Sequence, residues 1–93
     1  MSESLTLEQV CEAIQELVTA LRAHGVQGYA RLFERIEEKL VKGEVNAAEK
    51  LYREIPYAGM GGLLDVINDD TIGYKLLPQA QRLIPRYCKA NAP

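Results

Sequence analysis

The sequence predicts an all-α fold: a small antiparallel bundle of four to five helices in one domain spanning residues 1–93. Three observations carry this expectation. Apolar residues recur at steps of three and four along most of the chain, helix start and stop signals punctuate it, and no stretch of useful length alternates apolar with polar residues. The intervening loops are too short to separate a second domain.

The first helix has the clearest start. Thr6 and Gln9 have the spacing of a capping box, with Leu5 and Val10 at the staple positions on either side. Leu7, Val10, Cys11, Ile14, Leu17, Val18 and Leu21 then form one apolar stripe opposite Glu8, Glu12, Gln15 and Glu16. Gly25, following Arg22 and His24, is a C-terminal stop, so this helix is expected from about Leu7 to His24. The second shows Tyr29, Leu32, Phe33, Ile36 and Leu40 on one face and alternating charges on the other, and Gly43 closes it. Together these two predict a long helical hairpin at the start of the chain.

A shorter third helix is expected from a second capping-box spacing, Asn46 with Glu49, and it must end before Pro56. A glycine-rich corner follows. "LLDVI" is long enough for a turn or two of helix near Leu63. A last helix is signalled by Pro78 at a first-turn position, then Ala80, Leu83, Ile84, Tyr87 and Cys88, with a kink or break expected at Pro85.

Composition narrows the function classes. The chain is 47% apolar and 26% charged, ordinary for a folded globular protein. A chain of this length removes only about 60–65% of its unfolded surface from water, so a sizeable cavity competes with its small core. No apolar run approaches a membrane span and the start carries no leader pattern, which predicts a cytoplasmic protein with no membrane partner. Cys11 and Cys88 lack metal-type spacing and are expected as buried thiols.

Net charge is −2, but it is unevenly placed: residues 43–70 hold two basic and six acidic residues, and residues 71–93 hold four basic and none acidic. The basic residues Lys75, Arg82, Arg86 and Lys89 lie at helical spacing and are expected as a solvated face. With a negative chain around them, nucleic acid is not an expected partner.

The segment "IPYAGMGGLLDVINDD", residues 55–70, is where function is most legible. A glycine-rich loop before a helix start has the form of an anion cradle, yet no strand precedes it and Asp65, Asp69 and Asp70 repel a phosphate. The same acids with Asn68 supply oxygens for a metal at spacings that match no calcium loop, and the one histidine, His24, is distant in sequence and reads as a helix C-terminal residue. No nucleophile and base are paired, so no metal, cofactor or enzymatic activity is expected. Structurally, Gly59, Gly61 and Gly62 suit positive φ, Met60 suits an irregular gap, and Asp69 or Asp70 suits a helix cap.

The run Tyr57, Ala58, Gly59, Met60, Gly61, Gly62, Leu63, Leu64, Asp65 is similar to an aromatic–x–G–M–G–(G/S)–(L/F)–x–D signature of small all-helical bacterial proteins of uncharacterised function, some of which resemble toxin immunity proteins. The resemblance covers the motif and the helices before it. It implies a non-enzymatic module that neutralises a bacterial toxin by binding it directly. Tyr57, Met60, Asp65, Asp69, Asp70 and Tyr74 are the expected partner-binding residues, the acids facing basic toxin groups and the others supplying apolar anchors. The alternative is a self-associating helical adaptor, a homodimer whose seam continues the apolar stripe of the first helix.

Overall fold

The computed structural model describes residues 5–57, 62–67 and 69–92, and at Leu64 and Asp65 the backbone only. These residues form α1 (Leu7–Ala23), α2 (Gln27–Val41), α3 (Val45–Glu54), the single turn α4 (Leu63–Val66), a π-helical segment Ile72–Leu76, and α5 (Leu77–Asn91). Among the described residues there is no strand, and the fold is an all-α bundle.

α1 begins as its sequence signals. Thr6 Oγ1 accepts from the Gln9 N–H at 3.2 Å, and Gln9 Oε1 accepts from the Thr6 N–H at 2.9 Å, so the capping box satisfies two N–H groups that have no partner inside the helix. Both glycine stops work by the same device. Gly25 has φ 79° and Gly43 φ 80°. With the chain turned left-handed there, Val26 N–H reaches Leu21 O while Gly25 N–H reaches Arg22 O, and Glu44 N–H reaches Lys39 O while Gly43 N–H reaches Leu40 O. These are two Schellman motifs, each returning the last carbonyls of a helix to hydrogen bonds.

α3 departs from its expected start. Its N-cap is Glu44 rather than Asn46, and no side chain caps it. The α2 stop delivers Glu44 directly to the new helix, where its carboxylate pairs with Lys39 at 3.2 Å and the next residue, Val45, is buried. Burial of Val45 sets the start, and the Asn46–Glu49 spacing has no role in it. The end is as expected: Ile55, held extended by Pro56, is the C-cap.

The C-terminal helix is longer than its proline signals predict. Helical backbone runs unbroken from residue 70 to 91, through both Pro78 and Pro85. A proline removes one N–H and presses its ring on the carbonyl four residues earlier. At Pro78 the π turn accommodates this, because Leu77 N–H bonds Ile72 O, five residues back, and the wider turn relieves the ring. At Pro85 the freed carbonyl is that of Gln81, and it accepts the Tyr52 hydroxyl of α3 at 3.1 Å. The expected break is absent because tertiary contacts satisfy what the proline leaves open.

One apolar cluster joins the helices. Phe33 and Ile36 of α2, Ile14, Leu17 and Leu21 of α1, Ala48 of α3, Leu63 of α4, Ile72, and Leu77, Ile84 and Cys88 of α5 are all buried in it. The apolar stripe of α1 is thereby consumed within the chain, against α2 and α5. No described polar or charged side chain is buried, so the core carries no desolvated charge.

Candidate functional site

The corner between α3 and α5 is built from backbone outward. Leu63 N–H bonds Pro56 O at 2.7 Å, which closes the chain across the glycine segment. Gly59, Met60 and Gly61 lie outside the described residues. Gly62 is the N-cap of α4 with φ −72°, so the expectation of positive φ fails there: the residue is buried in ordinary extended backbone.

Asp69 organises the second half of the corner. Its Oδ1 accepts from the Ile72 N–H at 3.1 Å, and its backbone carbonyl accepts from the Gly73 N–H at 2.9 Å, so it caps the helical run that starts at Asp70. Its Oδ2 stands 3.4 Å from His24 Nε2, an ion pair whenever the imidazole is protonated. His24 was distant in sequence; as the α1 C-cap it is carried to the corner by the packing of α1 against the π segment. Both side chains are partly exposed, which keeps the pair weak.

The expected binding residues are not equivalent in the fold. Tyr74 is 82% exposed and Asp70 is exposed, one turn apart on the same helical run. Val66, 37% exposed, lies at the end of α4. A side chain added at Gly73 would bring its Cβ within 3.8 Å of Ile67 Cγ2, so the end of α4 runs close to the helical run that carries Tyr74. The Asp65 side chain and Met60 lie outside the described residues.

Tyr57 turns inward instead of outward. It is half-buried, its ring centroid is 5.3 Å from that of Tyr52, and its hydroxyl donates to Tyr52 O at 2.9 Å. Burial, reinforced by the neighbouring Tyr52, pushes its phenol well above the ordinary range. Tyr57 is thus a positioning residue for the corner. The aromatic at this place in the sequence gave no sign of which way it points, since an x–Pro–Tyr sequence fits either orientation.

Two open grooves lie elsewhere. One of about 330 Å³ is lined by Arg35, Glu38, Lys39 and Leu51, and another of about 420 Å³ by Gln15, Glu34, Glu37, Glu38, Val41 and Lys42. Their charges are largely paired, Arg22 to Glu34 and Lys42 to Glu38 among them. Among the described residues no three His, Cys, Asp or Glu side chains converge as metal ligands. Cys88 is buried and Cys11 half-buried; burial first, and then Glu49 beside Cys88 and Glu37 beside Cys11, raise both thiols above their ordinary values, away from reactive thiolate.

No helix among the described residues is long and apolar enough to cross a membrane. Compared with protein families, curated proteins and solved structures, the chain matches none.

Proposed function

We propose that the protein is a non-enzymatic binding module of the immunity class, which neutralises a basic protein toxin in the cytoplasm by direct contact through the 66–74 corner. The observation that carries this proposal is the setting of Tyr74. A large aromatic side chain, 82% exposed, stands on a helical run held by the Asp69 cap, with Asp70 exposed one turn before it and the end of α4, which carries the exposed Val66, close by. An exposed aromatic on a rigid element beside charged groups has the composition of an interface anchor with a polar rim.

Charge supports the same partner chemistry. Residues 43–70 carry six acids against two bases, which favours capture of a cationic surface. The scaffold is consistent with a rigid binder. α1 and α2 contact in opposite senses, Arg22 reaching Glu34 and Gln15 reaching Glu37 at 2.8 Å, as an antiparallel hairpin requires.

The test is a pull-down from cells of the organism of origin with tagged wild type, a Tyr74→Ala/Asp70→Lys variant, and an Asp69→Asn variant that retains the capping oxygen. A stoichiometric basic partner held by wild type and Asp69→Asn but lost by Tyr74→Ala/Asp70→Lys, with helicity unchanged, supports the proposal. Equal recovery by all three overturns it.

A further inference from the structure

α1 and α5 carry charge of opposite sign on their outer faces. On α1, Glu8, Glu12 and Glu16 follow one another at one-turn spacing, all exposed, opposite the face that buries Val10, Ile14 and Leu17. On α5, Arg82, Arg86 and Lys89 are likewise exposed, opposite Leu77, Ala80, Ile84 and Cys88, and Lys75 is exposed on the π turn before them. No acidic residue follows Asp70. The stripes match in length, about 12 Å from Glu8 to Glu16 and about 10 Å from Arg82 to Lys89 at the helical rise of about 1.5 Å per residue.

Several charges elsewhere on the surface are paired. Arg22 pairs with Glu34, Lys42 with Glu38, Lys39 with Glu44 and Arg53 with Glu49. Among the described residues, none of Glu8, Glu12, Glu16, Lys75, Arg82, Arg86 or Lys89 enters an ion pair. The unpaired charge on these two helices is therefore sorted by sign.

We propose that the basic face of α5 docks on the acidic face of α1 in a second copy of this chain. A polyanion is the poorer occupant, because the acidic stripe of the neighbouring α1 and a net charge of −2 oppose it. A second copy brings a carboxylate row of matching length and spacing. Each copy carries both faces, so the contact is reciprocal where two copies close on each other and head-to-tail where they do not. With charged groups at its centre the association is weak and screened by salt.

Sedimentation velocity on the wild-type chain tests this across protein concentration at about 0.01 M and about 1 M salt, where the Debye length is about 30 Å and 3 Å. The expected result is concentration-dependent self-association at low salt and monomer at high salt. A Glu8→Gln/Glu12→Gln/Glu16→Gln variant and an Arg82→Glu/Arg86→Glu/Lys89→Glu variant, each with wild-type circular dichroism, should stay monomeric at low salt.

Reversing both faces at once, with Glu8, Glu12 and Glu16 changed to Lys and Arg82, Arg86 and Lys89 to Glu, leaves the net charge at −2 and should restore association. Arg31→Glu/Arg35→Glu/Lys50→Glu matches the basic-face variant in net charge on other surfaces and should still associate. A wild-type chain that is monomeric at low salt overturns the proposal without recourse to any variant. So does association that survives loss of either face, or loss of association in the Arg31, Arg35 and Lys50 control. A mixed-sequence oligonucleotide that binds the basic face and displaces the second copy also overturns it.

Discussion

The Tyr52 hydroxyl donates to Gln81 O at 3.1 Å, the carbonyl that Pro85 leaves without its helical N–H. A residue of α3 thus completes the hydrogen bonding of α5. The same Tyr52 offers its backbone carbonyl to the Tyr57 hydroxyl at 2.9 Å, so the α3–α5 packing and the entrance to the corner share one residue.

Tyr52→Phe should therefore cost about 1 kcal/mol, the scale of a part-buried hydrogen bond left unmade. Pro85→Ala supplies an N–H four residues after Gln81, and in that background the cost of Tyr52→Phe should fall to a few tenths of a kcal/mol. Urea denaturation of the four forms measures the coupling. An undiminished cost in the Pro85→Ala background would show that the hydroxyl serves packing alone.

Asp69 should behave as a cap first and an ion-pair partner second. Asp69→Ala is expected to lose about 1 kcal/mol, and Asp69→Asn, which keeps an acceptor for Ile72 N–H, only a fraction of that. His24→Ala should lose a few tenths of a kcal/mol, as befits a partly exposed pair. Thermal melts of the three variants rank these effects. Equal losses for Asp69→Ala and Asp69→Asn would assign the effect to the charge.

The glycines should separate into two groups. Gly25→Ala and Gly43→Ala each force a side chain into left-handed backbone and should destabilise by about 1 kcal/mol. Gly28 lies in the first turn of α2 with nothing within 4 Å of an added Cβ, so Gly28→Ala should leave stability unchanged or raise it by up to about 1 kcal/mol. Chemical denaturation distinguishes the two groups by sign.

Alkaline pH should weaken the corner. Burial holds the Tyr57 phenol protonated above its ordinary value near 10 in the folded chain, and Tyr52 is shifted the same way by burial. The native state keeps these protons where the unfolded state releases them. Stability from this source is complete below about pH 10 and is lost as pH rises above it. Tyr57→Phe should be less stable than wild type at neutral pH, having lost a hydrogen bond, yet decline less steeply above pH 10 in a series of melts. Parallel pH profiles would rule Tyr57 out as a source of the alkaline loss.

Signals that act within a turn or two of chain were legible from residue order. The Thr6–Gln9 box, the stops at Gly25 and Gly43, the limit set by Pro56 and the apolar stripe of α1 all appear in the fold, because each depends on neighbours less than two turns away. Of the candidate site, the exposed Asp70 and Tyr74 and the capping role open to Asp69 could be read in this way. The direction of Tyr57 and the arrival of His24 could not, since both depend on partners fixed by packing.

Where local and distant demands conflicted, the assembled core prevailed. Burial of Val45 started α3 ahead of the Asn46 signal, and the π turn with the Tyr52 hydroxyl carried α5 through two prolines that local rules treat as boundaries. The reason is energetic. A single cap or proline changes local stability by about 1–3 kcal/mol, and buried side chains with a replacement hydrogen bond can supply as much. The helical class, both ends of α1 and the C-terminal ends of α2 and α3 were thus set by residue order, while the start of α3, the length of α5, the inward turn of Tyr57 and the pairing of His24 with Asp69 were decided only when the helices packed.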